Sequence, residues 1–249
     1  MEEEQELTFW EHLDVLRSLL IRTILAAVVF GLVAFFFKEQ LFDIVLAPKS
    51  SKFITYRLMG TEPFDIHLFN VGLTEQFMIH MKTALCFGIL GSSPYILYLL
   101  YKFISPALYK KEQQYAVRIV GSSYIMFMVG VLVNYFIIFP LTVRFLGTYQ
   151  VSTEVNNMLS LQSYMDTLLM MSLVFGLVFE IPVISWLLAL FGLLESRWMG
   201  QYRRHAIVAI LIIAAIITPT SDVFTLTIVA LPIWMLYEVS IWIVRSTGH

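Results

Sequence analysis

Several kinds of protein are excluded by what the chain lacks. There is one cysteine, Cys86, so no intramolecular disulfide can form and the redox compartment cannot be read. Charge is scarce: Asp, Glu, Lys and Arg make up 14% of 249 residues, against roughly a quarter in a soluble domain. The net charge of −2 by itself says nothing about nucleic-acid or acidic partners, and no nucleic acid is expected as a partner. The opening "MEEEQELTFWEH" has neither the basic stretch nor the apolar stretch of a cleavable signal peptide, so it is expected to stay on the mature protein. His12, His67, His80, His205 and His249 are scattered and no HExxH occurs, so neither a metal site nor a cofactor is expected. GxSxG, GxxxxGK[ST] and a glycine-rich turn after a strand are missing too. Ser92 and Ser93 beside Pro94 have no intraspan His or Lys to act as a base, and read as helix-packing serines. The chain is not expected to be an enzyme.

Apolar side chains are abundant. They make up 59% of the chain, mean hydropathy is +0.79, and the excess comes in blocks. That is the pattern of an all-α integral membrane protein. Six windows stand out, at about 19–37, 83–102, 119–141, 167–190, 206–218 and 223–243. The second follows the polar but helical-looking "LTEQFMIHMK", so its helix should begin outside the hydrocarbon. No composition shift or fixed repeat divides the sequence, so residues 1–249 read as a single polytopic membrane domain.

With six spans both termini share a face. Ten of the 16 Lys and Arg fall on that face, which predicts N-in/C-in topology by the positive-inside rule. The last two windows are short. Ala206–Ile217 would rise about 18 Å as a helix, and Val223–Tyr237 about 22 Å before Glu238 interrupts it. Both fall below the ~30 Å hydrocarbon core, which predicts two short C-terminal spans and local thinning of the membrane. Pro94, Pro140, Pro182 and Pro232 lie in or at the ends of spans, and the helices they kink would enclose a concave body.

One residue is out of place. Glu180 sits near the middle of "LLMMSLVFGLVFEIPVISWLLALFGLL", two residues before Pro182. A carboxylate there costs about 2.5–3.5 kcal/mol on insertion scales. It is tolerable if neutral, hydrated or hydrogen-bonded. An intraspan acid also marks proton relays, so an ion-coupled secondary transporter using Glu180 is the alternative reading. Such carriers usually show inverted repeats, which this sequence does not. Asp222, after "TPTS", reads as the N-cap of the last span.

The loop "YKFISPALYKKEQQYAVR" places a Pro-Ala-Leu-Tyr turn beside two lysines and Glu112. With "HLDVLR", "LAPK", "SSPYILY", "NYFIIFPL", "FGLVFEIPV", "TPTSDVF" and "LPIWMLYE" following in order, the sequence resembles the TatC family of the twin-arginine protein translocase over nearly its whole length. The resemblance implies a cupped-hand receptor in the bacterial cytoplasmic (inner) membrane, oligomeric within its complex. It would bind twin-arginine signal peptides of folded cargo and work with single-span partner subunits, driven by the proton-motive force.

Residue by residue, the resemblance points to a signal-peptide surface. It comprises Phe103, Pro106, Leu108, Tyr109 and Glu112 in the loop, and the N-terminal motif containing Arg17. Carboxylates suit a guanidinium pair because they accept bidentate hydrogen bonds. Without the resemblance, Glu112 would read as a solvated glutamate balancing Lys110 and Lys111. The family usually reads HLxELR, but Val15 stands at the acidic place, so either Asp14 or Glu11 supplies the second carboxylate or Glu112 carries more of the recognition. The resemblance also implies that Glu180, Tyr135 and Asn134 face an intramembrane groove or a partner helix. Pro48 and Asp222 would then lie on the outer face.

Overall fold

The computed structural model describes residues 9–60, 63–64, 66–104, 116–149, 158–218 and 222–247, with backbone alone at 9, 11, 12 and 116. Apolar runs become helices here because a backbone in lipid must satisfy its own N–H and C=O groups. The first is α1 (Phe9–Phe36), followed by α2 (Lys38–Leu46), a 3₁₀ turn (Ala47–Lys49) and α3 (Ile54–Leu58). Next come α4 (Glu75–Ile104), α5 (Ala116–Val133), a π-helical turn (Asn134–Ile138) and α6 (Phe139–Thr148). The C-terminal part comprises α7 (Leu161–Val178), α8 (Ile181–Leu190), α9 (Ser196–Gln201), α10 (Arg203–Ile217) and α11 (Val223–Ser246). Two short strands, β1 (Leu68–Phe69) and β2 (Leu159–Ser160), pair in parallel.

Five stretches are long and apolar enough to cross a membrane: Leu13–Phe36, Glu75–Ile104, Val117–Thr148, Leu161–Leu190 and Val223–Ser246. They overlap five of the six expected windows and generally run past their edges. Hydropathy marks where side chains are apolar, whereas helix hydrogen bonding continues into polar flanks. The remaining window is α10, whose 15 residues rise only about 22 Å.

The expectation of two short C-terminal spans fails for the second. α11 runs for 24 residues, about 36 Å, so thinning can be argued from α10 alone. Glu238 does not end α11, since glutamate is a good helix former, and its carboxylate accepts a hydrogen bond from Arg203, at the start of α10, at 2.7 Å.

The prolines act differently from one another. Pro94 and Pro232 stay inside continuous helices. Pro140 opens α6 directly after the π turn. Pro182 follows a break at Phe179–Glu180 that separates α7 from α8. Proline supplies no N–H to the preceding turn, so irregular backbone beside it is expected.

Small residues set the helix contacts. α1 packs chiefly on α4, antiparallel to it: Gly88 lies against Ala27 and Gly31, Gly31 against Ala84, and the Phe35 carbonyl 3.2 Å from His80 Nε2. Each four-residue step along α1 is answered by four residues back along α4. α5 and α7 approach in the same way, with Gly130 against the Phe175 carbonyl and Gly176 against the Phe127 ring. In lipid, such close contacts replace the missing hydrophobic drive for association. The main core lies among α6, α7, α10 and α11, around Phe139, Met165, Met171, Phe175, Val229 and Ile233.

Candidate functional site

The α1–α4 register decides where the predicted signal-binding residues lie. Continued toward the start of α1, it sets Asp14 level with Tyr101 and the Glu11 backbone level with Ile104, the last residue of α4. The N-terminal motif and the point where the "PALYKKE" loop leaves α4 are therefore at the same end of one helix pair. Phe103 is half-buried there, while Asp14 and Arg17 are exposed. Pro106, Leu108, Tyr109 and Glu112 lie outside the described residues, as does the side chain of Glu11.

The same helix distinguishes Asp14 from Val15. Leu19 is buried on the α4 side of α1. Val15 lies about 40° around the helix from it and Asp14 about 140°. Asp14 thus points away from α4.

The polar side chains within the spans form rungs between α5 and α7. Asn134 Nδ2 donates to Ser172 Oγ at 2.9 Å. About two turns further along α7, the buried Ser123 of α5 lies beside the Glu180 carboxyl. Between these rungs are the two glycine contacts already described. Glu180 is 6% exposed and lies in the helix interruption before Pro182. Its Oε1 and Asn134 Oδ1 have no partner among the described residues. Asn134 is fully buried and does not face an open surface. Tyr135 is half-buried, with its hydroxyl donating to the Ile44 carbonyl at 2.7 Å. It lines an apolar cavity of about 240 Å³ with Val45, Cys86, Phe136, Leu168 and Ser172.

At the other end of the spans, tyrosine hydroxyls fasten α2, α3 and the turn between them to the body. Tyr56 lies 3.0 Å from the Pro48 carbonyl and 2.9 Å from that of Pro140, so its single proton is shared between them. Tyr164 donates to Val45 at 3.0 Å. Burial pushes the Tyr56 phenol well above its ordinary range, and the nearby Arg144 only partly offsets this, so the hydroxyl stays a donor. Pro48 is buried within its 3₁₀ turn. Asp222 caps α11, accepting from the Thr225 amide at 2.7 Å.

Ser123, Ser172, Tyr56 and Tyr164 were not singled out in the sequence. Ser172 had a weak signal as a lone hydroxyl inside "LLMMSLVF"; the others had none, since their partners are remote in sequence.

These features define a multi-span helical membrane protein with a polar seam between two of its helices and a braced cap at one end. Residues 11–232 match the family model described as Sec-independent protein translocase protein (TatC). The protein of that name from Koribacter versatilis is 34% identical, over 94% of this chain and 84% of its own length. The one from Aquifex aeolicus is 33% identical over 94% and 92%. A crystal structure of the twin-arginine translocase receptor TatC superposes with a TM-score of 0.82 at 32% identity, covering 96% of this chain and 100% of the other. The chain belongs to the TatC family.

Proposed function

We propose that this protein is the signal receptor and core subunit of a twin-arginine translocase. Both termini are cytoplasmic. The surface formed by the start of α1 and the loop after α4 binds the twin-arginine signal peptide, and the concave side of the helices receives single-span partner subunits for proton-motive-force-driven export of folded proteins. The observation that carries this reading is the α1–α4 register, which sets the N-terminal motif beside the root of the "PALYKKE" loop. Two carboxylates there can each take one guanidinium. Glu112 is the first. Asp14 faces away from α4, so Glu11, one turn before Val15, is the second. The secondary-transporter alternative has no comparable support, because Glu180 sits in a helix–helix contact beside Ser123.

The test is binding of a labelled twin-arginine peptide to the purified protein in nanodiscs, against a twin-lysine control. Arginine should bind more tightly, and Glu112→Ala should remove the difference. Equal binding of both peptides to the folded wild-type protein, with its partner subunit present, would overturn the receptor reading.

A further inference from the structure

Where α1 ends and α4 begins, a cavity of about 370 Å³ opens between α2, α4 and α7. Lys38, Gln76 and His80 line it together with Phe42, Phe77 and Leu161. No acidic side chain is among the lining residues. The carboxylates nearby are engaged elsewhere. Glu75 accepts from the Val71 and Gly72 amides at 3.2 and 2.9 Å, and Asp166 pairs with Lys82 at 2.7 Å. Glu39 and Asp43 share α2 with Lys38 but do not line the cavity.

Lys38 and Gln76 have no side-chain partner among the described residues. His80 is already used: its ring stacks on Phe35 at 4.1 Å, and Nε2 donates to the Phe35 carbonyl, which can only accept. It therefore fixes the floor of the cavity to the last turn of α1, leaving the Lys38 amine and the Gln76 amide as the open donors.

We propose that this cavity binds the phosphate of a membrane phospholipid. The Lys38 ammonium and the Gln76 amide hold the phosphate oxygens, and Phe42, Phe77 and Leu161 flank the upper part of the acyl chains. The position favours a lipid over a free ion. Lys38 comes two residues after α1 ends and Gln76 is the second residue of α4, so the donors lie at the level where spans meet water and lipid phosphates concentrate. An aromatic and aliphatic wall beside a cation suits a molecule with an anionic head and an apolar body. It would be wasted on inorganic phosphate. A lipid seated here would wedge the α1–α2 corner against α4 without any covalent step.

The experiment is native mass spectrometry of the full-length protein in detergent, titrated with phosphatidylglycerol. Lys38→Gln should weaken the first lipid-binding step about fivefold, the usual effect of one basic group at a membrane surface. Gln76→Ala should weaken it about twofold to threefold, as expected for one neutral hydrogen bond. Lys52→Gln, at an exposed position outside the cavity, should leave it unchanged. Both cavity variants replace exposed side chains, and unchanged circular dichroism would establish that they fold. Lys38→Gln binding lipid like the wild type would overturn the proposal. So would displacement of the lipid by millimolar inorganic phosphate, which would make this a free-anion site.

Discussion

Gly88 on α4 and Gly31 on α1 meet backbone to backbone: a Cβ on Gly88 would fall 2.6 Å from the Gly31 nitrogen and 2.4 Å from the Ala27 carbonyl oxygen. Both neighbours are backbone atoms, with no side chain that could rotate away. Gly88→Ala must push α1 off α4, at a cost of about 1–3 kcal/mol by analogy with overpacked cores. Gly200→Ala has open space and should be neutral. Thermal unfolding in detergent compares them. The Gly88 variant should also bind signal peptide less well, because the displaced helix carries half of the proposed site.

The identity of the second arginine-binding carboxylate gives a directional prediction. Glu11→Gln should reduce twin-arginine peptide affinity about tenfold, in the range of a charge-assisted hydrogen bond. Asp14→Asn, on the face of α1 turned from α4, should change it less than twofold. Fluorescence anisotropy with the labelled peptide measures both, and the reverse order would assign the role to Asp14.

Glu180 should tolerate loss of charge better than loss of its side chain. Glu180→Gln keeps a group able to hydrogen-bond Ser123 and should transport near the wild-type rate. Glu180→Ala removes the polar group beside the buried Ser123 hydroxyl and should transport several-fold more slowly. Cargo export into vesicles reads this out. Full activity of the alanine variant would exclude a role for the carboxyl.

The α5–α7 rung at Asn134 is a stability device. Ser172→Ala removes the acceptor of the Asn134 amide. Buried side-chain hydrogen bonds between membrane helices average about 0.6 kcal/mol, with a maximum near 1.7. A loss within that range in reversible unfolding is the expected result, and Asn134→Ala combined with Ser172→Ala should cost less than the sum of the two single changes.

Asp222→Ala should cost about 1 kcal/mol, the usual value of an N-cap, while Asp222→Asn should retain most of it. Hydrogen exchange at the Thr225 amide reports the cap directly, because that N–H is its donor. Faster exchange at Thr225 in the alanine variant alone is the expected pattern.

Much of this protein is written along the chain. Long apolar runs demand helices wherever lipid replaces water, so hydropathy marks the apolar centres of five spans, while their ends extend up to eight residues further. Asp222 announces its cap because the capped amide lies three residues away. The family, too, is legible, since its motifs are contiguous stretches. Local chemistry determines each of these.

Tertiary structure decided everything that depends on a partner remote in sequence. Glu238 looks like a lone charge in the last apolar run until Arg203, on another helix, pairs with it. Asn134 looks like a groove residue until Ser172 closes over it. The relation of Asp14, Val15 and Glu11 to the loop after α4 exists only through the glycine contacts that fix the register of α1 on α4. The physical reason is common to all three: a sequence sets the cost of a polar group in an apolar run, but only packing sets which neighbour satisfies it.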